Sequence, residues 1–531
     1  MRRMTWSAPA VIVLVAAIGI AGRAQAPGQD RGPGQGRGGA QRQPPVVSPA
    51  GQAAARGGPA EPLYKLEDAF LQWPLLPADR AYGAIDGHHL HQLVEDQTAI
   101  SRRYRDQGHP QFWGRVIGSS ADEENQQWML NRFKQMGLTD VHVQSFDLAP
   151  QWMPQSWEIT VTASGKTLKI EAAQPAYQTA QTPPGGLDVE AAYVGTGSEA
   201  DYIGRDVKGK AVFIYSMPLP GSWRHTATAD GAVRRAQDKG AAAIFIVIGL
   251  PGNIKTQLYP TGTTVPTFSL GMNDGYAVRD LIGQAGAQAP RVRVRLDVNM
   301  VPGLKTGTVW GTLPGLTDET VYVLAHRDGW FEAGTDNASG VATMVGLAEY
   351  FAKTPRANRR RTMVFLGSSG HHNGANMSGT WLFDHRDTVF AKTALFINCE
   401  HTSTMQTYLL GETIRRANMH TGLLWYAGGP QRPKLQDIAV RAFRDFGVVT
   451  YAEPERAAPG GEMSRLWPYL PGVQGSDYNV YFHSDAESAD TVPWTGLEST
   501  TRAYAKIIDG VNMLDLKDLQ RAPEVAPTQP R

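Results

Sequence analysis

Short apolar runs alternate with helically spaced apolar positions through residues 302–516. Val321-Tyr-Val-Leu-Ala, Thr362-Met-Val-Phe-Leu and Ala394-Leu-Phe-Ile are compact and rich in β-formers, while Val341, Met344, Val345, Ala348 and Phe351 fall on one face of a helix over 338–352. Strand and helix in alternation predict an α/β domain built on a mostly parallel mixed sheet flanked by helices. A helix over 500–516 closes it. Upstream, Trp128, Met129, Phe133 and Met136 mark a helix over 123–137, and Val141-His142-Val143 the first strand. Between 174 and 301 the pattern changes to short strands with Gly-rich turns, among them Ala191-Ala-Tyr-Val and Gly209-Lys-Ala-Val-Phe-Ile-Tyr. A helix over 230–239 then leads into Ala241-Ala-Ala-Ile-Phe-Ile-Val-Ile. A small β-rich α/β domain is therefore expected as an insert, splitting the larger domain into 62–173 and 302–516.

Composition adds the ends of the chain and removes some partners. Arg2 and Arg3, the apolar stretch from Val11 to Ala21 and Ala24-Gln25-Ala26 predict a signal peptide over 1–26. Its apolar run of about 15 residues is short against the roughly 20 needed to span a bilayer, so a periplasmic or extracellular protein without a retained membrane segment is expected. Residues 27–61, rich in Gly, Pro, Gln and Arg, are expected to be a disordered linker, and 517–531 a polar tail. Lys and Arg number 51 against 50 Asp and Glu, a net charge of +1 that provides no field for nucleic acid or anionic lipid. A single cysteine, Cys399, excludes an intramolecular disulfide.

Ligands of open α/β sheets bind beyond the carboxyl ends of the parallel strands, and each expected strand here ends in groups able to bind metal. The first runs into His326-Arg327-Asp328, the second through Gly367-Ser-Ser-Gly into His371-His372, and the third into Asn398-Cys399-Glu400-His401. Asp336 lies where a loop enters a helix, and His483 precedes the last helix. Singly, Asp336 reads equally well as a helix cap and His326 or His483 as structural histidines. Imidazoles and carboxylates drawn together from several strand ends are the donor set of a Zn²⁺ site.

His326-Arg-Asp-Gly-Trp followed by Gly334-Thr-Asp-Asn-Ala-Ser-Gly340 resembles the motifs of the M28 peptidases, which include aminopeptidases and the branch of glutamate carboxypeptidase and the transferrin receptor. Residues 174–301, with Val207-Lys-Gly-Lys-Ala-Val and Lys239-Gly-Ala-Ala-Ala, are similar to the protease-associated (PA) domain inserted in several exported peptidases. The resemblance implies one or two Zn²⁺ ions, with His326 and Glu400 on one, His372 and His483 on the other, and Asp336 bridging them. It also implies that Asp328 orients His326 through the second ring nitrogen and that the Asp336–Asn337 peptide is cis. His371-His372 stands where these peptidases carry Glu-Glu, so His372 replaces a carboxylate ligand and His371 replaces the general base. The implied activity is hydrolysis of peptides or N-acyl amino acids. A catalytically silent binding module is the alternative, and a cyclase on the same core a third reading. Monomer and homodimer, and the role of His401, stay open.

Overall fold

The computed structural model describes residues 72–519 apart from 220–221, 287, 376, 411–412, 421–422, 428–431, 449 and 453–458. The expected signal peptide and linker, and residues 520–531 of the expected tail, lie outside the described residues. No helix among the described residues is long and apolar enough to cross a membrane.

The larger sheet has eight strands, which in chain order are β1 (Thr139–Asp147), β2 (Lys305–Leu313), β3 (Thr317–His326), β4 (Arg361–Ser368), β5 (Thr393–Cys399), β6 (Leu423–Ala427), β7 (Thr450–Ala452) and β8 (Gly472–Ser476). Their order across the sheet is β7-β6-β8-β5-β3-β4-β2-β1. The centre is parallel, β3 lying between β4 and β5, while β2 runs antiparallel to β4 and β6 antiparallel to β8. Alternate residues of the central strands enter different cores. Val321, Val323, Phe365 and Ile397 belong to one apolar cluster, and Tyr322, Leu324, Val364, Leu366 and Phe396 to another. A strand buried on both faces needs apolar residues at every position, and this produced the uninterrupted runs in the sequence.

Helix packing positions the loops. Helix α1 (Gly87–Asp106) starts at Asp86, whose carboxylate accepts from the amides of His88 and His89, and α2 (Ser120–Gln135) starts at Ser119, whose hydroxyl accepts from the Asp122 amide. Helix α3 (Gly340–Ala352) is apolar nearly all round because it packs on β3 and also against α1 and α4 (Trp494–Asn512). The helix expected over 338–352 thus begins two residues later, after a turn over Gly334–Ser339 in which Asp336 and Asn337 are not helical, and the closing helix spans 494–512 rather than 500–516.

The second eight-stranded sheet takes in more chain than the span 174–301. Gln151–Ala163 pairs with Arg291–Val301 along its whole length, from Gln151 beside Val301 to Thr162 beside Arg291. Trp157, Ile159, Val161 and Ala163 alternate inward, a period-2 signal that was present in the sequence. The parallel centre of this sheet, Ala211–Ser216 beside Ala243–Ile248, is covered on one side by Val233 and Ala236 of the Ala232–Asp238 helix.

Candidate metal centre

Strand register delivers the site. His326 ends β3 opposite Ser368 of β4, and Leu324 pairs with Asn398 of β5, so two further residues bring Glu400 level with His326. The turn after β4 carries His371 and His372, and Asp336 sits in the turn leading into α3. His483 lies ahead of α4 with φ 59°, and the Asp336–Asn337 peptide is cis.

Four imidazoles face the one carboxylate of Asp336. Oδ1 lies 3.0 Å from His326 Nε2 and 3.1 Å from His401 Nε2, while Oδ2 lies 3.0 Å from His372 Nε2 and 2.8 Å from His483 Nε2. Glu400 Oε1 stands 3.7 Å from both His326 Nε2 and His401 Nε2. All six residues are buried. Around Oδ1 the contacts are close yet misaligned for hydrogen bonding: His326 Nε2, His401 Nε2 and Asp336 Oδ1 are buried with no hydrogen-bond partner among the described residues. Polar atoms so placed are costly unless something else satisfies them. Donors held about 2.0–2.1 Å from a tetrahedral zinc ion lie about 3.3 Å from one another, which these spacings straddle. The residues fit a divalent cation at each oxygen of Asp336.

Neighbouring groups set the imidazole tautomers. His372 Nδ1 is 3.1 Å from Asp328 Oδ2, and His326 Nδ1 is 3.2 Å from the Asp328 carbonyl oxygen, so both rings donate through Nδ1 and turn the Nε2 lone pair inward. Asp328 thus accepts the other N–H of His326 through its backbone carbonyl rather than its carboxylate. Its carboxylate is 3.7 Å from His326 Nδ1 and instead holds His372, because it also collects the amides of Gly370, His371 and His372 from the turn after β4.

His371 stands apart from Asp336. Its Nδ1 is 3.2 Å from both oxygens of Glu462, its Nε2 is 3.8 Å from Glu400 Oε1, and its ring stacks on His326 at 4.0 Å. Burial and the charge of His326 oppose its protonation, but Glu462 and Glu400 outweigh them and raise it to about 9. A cation bound beside it would pull that value down. Burial likewise works against ionisation of Glu400, yet His371 and His326 hold its carboxyl at about 2. Burial dominates at His483 and lowers it to about 3.

His326, Asp336, His372, Glu400 and His483 therefore converge, with Asp328 behind them and His371 at the edge. Sequence reasoning left His401 without a role and passed over three further residues. Glu487 accepts from the Asp336 and His483 amides, both at 2.7 Å, and the His483-to-Glu487 spacing within one turn was a usable signal. Glu462 and Tyr259 carried none. Tyr259 comes from the second sheet's domain, and its ring lies 4.9 Å from His483 and 5.2 Å from Trp330. A cavity of about 260 Å³, lined by Trp223, Arg224, Tyr259 and His483, opens beside them.

A parallel-centred sheet whose strand ends surround a shared aspartate with imidazoles is an α/β scaffold able to hold metal ions beyond its strand ends. Residues 308–508 match the model of peptidase family M28. A zinc aminopeptidase from Bacillus subtilis superimposes with a TM-score of 0.59 at 16% identity, over 80% of this chain and 94% of that one. A peptidase M28 precursor from Shewanella amazonensis SB2B also gives 0.59 at 16% identity, over 84% of this chain and 99% of that one. In sequence, a probable glutamate carboxypeptidase VP8 of Zea mays is 23% identical over 279 residues, 42% of this chain but only 38% of the maize protein's length.

Proposed function

We propose that this chain is an exported hydrolase that cleaves peptide or related N-acyl amide bonds with two zinc ions. Asp336, with a separate imidazole pair at each carboxylate oxygen, carries this reading. His326 and Glu400 would hold the first ion, His372 and His483 the second, and Asp336 both. When bound, such ions polarise a carbonyl and make water acidic enough to attack it near neutral pH. The chain's own residues do the rest. Trp330 and Tyr259, 4.4 Å and 6.2 Å by ring centre from His372, screen the second pair from solvent. Glu462 fixes the Nδ1 side of His371, leaving Nε2 toward the cluster to take a proton and return it to the leaving amine. The inserted domain, read as a PA domain, supplies Tyr259 and one wall of the substrate cavity.

Metal analysis of the purified protein with release from N-blocked and free peptides tests the proposal. His372→Ala should lose metal. His371→Ala should keep it and lower kcat by about 10²–10⁴-fold, the usual size of general acid–base catalysis. The absence of a glutamate at position 371 favours one rival, a silent binding module. Stoichiometric zinc without turnover of any amide, in both wild type and His371→Glu, would establish that rival instead.

A further inference from the structure

His401 has a placement that the shared M28 motif residues do not explain. The backbone holds it in the left-handed region at φ 45°, which residues bearing a Cβ adopt at a cost, and its amide donates to Asn337 Oδ1 at 3.0 Å. That turn swings the ring in between Tyr478 and Phe482, each with its centroid 5.0 Å away, and aims Nε2 at Asp336 Oδ1. Neither ring nitrogen has a hydrogen-bond partner among the described residues, and the side chain is 2% exposed. A buried imidazole with nothing to bond, aimed at a carboxylate oxygen already shared with another imidazole, is positioned as a metal ligand.

We propose, resting on the two-ion reading above, that His401 is a fourth protein ligand of the first ion and closes that site, leaving the second site as the open and exchangeable one. His326, Glu400 and His401 offer donor atoms within 4.8 Å of one another, and His326 Nε2 and His401 Nε2 each also lie 3.0–3.1 Å from Asp336 Oδ1, so Asp336 would be the fourth donor. Four protein donors are the signature of a structural zinc site, whereas catalytic sites keep three and leave one position for water or substrate. The second group has that smaller set: Asp336, His372 and His483, with no fourth His, Cys, Asp or Glu joining it among the described residues. Charge separates the two sites further. The first has Glu400 to itself and a share of Asp336, but the second has only the share, so it binds its cation less tightly and keeps more positive charge for an anionic ligand. The side of the cavity beside His483 is where such a ligand would approach.

The test uses the full-length protein loaded with Zn²⁺ or Co²⁺. A weak chelator should withdraw one ion from the wild type and leave the other, and the Co²⁺ that stays should show the intense visible bands of a four-coordinate ion. In His401→Ala both ions should leave together, with affinity at the retained site lowered at least ~10-fold, the lower end of what loss of even an outer partner costs. Its bands should weaken, and added imidazole should restore them, which a merely structural residue would not allow. Circular dichroism checks folding, and His401→Asn provides a second variant of smaller perturbation with the same expectation. Two ions that leave together from the wild type, or a tight ion and spectrum unchanged in both variants, would overturn this proposal alone. A wild type that takes up neither metal would overturn it together with the hydrolase reading.

Discussion

Asp328 holds His372 with one carboxylate oxygen while gathering three backbone amides, so one side chain fixes both the turn after β4 and the tautomer of a ligand. Asp328→Asn retains an acceptor but puts an amide donor in the site, and affinity for the second ion should fall about 10–100-fold, measured by chelator competition. Another histidine reports on pH. His225, buried just after a central strand of the second sheet, is held down at about 4 by desolvation, against an ordinary value of 6.5. The fold therefore favours the neutral ring. Its contribution is fully present above pH 6.5 and is lost as pH falls toward 4, when the unfolded chain takes up the proton first. Urea titrations at pH 7 and pH 4 should show His225→Gln losing about 3 kcal/mol less than wild type over that interval.

At the scale of elements, the junction of α3 with the end of β5 decides whether the ligands meet. Asn337 donates to the Cys399 carbonyl at 2.9 Å and accepts from the Gly340 and His401 amides at 3.1 and 3.0 Å, so it clamps helix start to strand end. Gly340 lets them approach. A Cβ there would lie 2.1 Å from the Cys399 carbonyl oxygen and 2.3 Å from Asn337 Oδ1, groups that cannot swing aside without opening the clamp. Gly340→Ala should therefore destabilise by at least about 1–3 kcal/mol, the cost of overpacking, and lower metal content as Asp336 and His401 separate. A denaturation midpoint and metal content both equal to wild type would show that the junction yields without cost.

Across the whole molecule, the centre joins parts that fold as separate sheets. The chain of the second sheet reaches it through the Gln257 amide, which donates to the His483 carbonyl at 2.8 Å, and through Lys255 and Asp485, which bond reciprocally at 3.0 Å. Beneath it the buried Arg115 donates to the carbonyls of Arg327, Glu332 and Ala333. An ion bound here ties both parts together and favours the folded state by mass action. Free zinc at about 100 times its Kd should stabilise by about 2.7 kcal/mol. Thermal melts should accordingly shift down on chelation and recover with added zinc, while an unchanged Tm would argue that no ion is held in the native state.

The sequence by itself determined the local parts: the apolar runs of β3, β4 and β5, the helix after Asp336, and the presence of His326, His371, His372 and Glu400 at strand ends. These were legible because a strand buried on both faces writes itself as a continuous run, and because the ligands follow such runs within a few residues. Tertiary structure alone decided which Asp336 oxygen meets which imidazole, that Asp328 serves His372, that Glu462 arrives beside His371, and that His401 turns inward. Those contacts join residues tens to more than a hundred positions apart, or depend on one backbone dihedral after a strand. They follow from strand order, register and loop closure, which the period of a sequence does not encode.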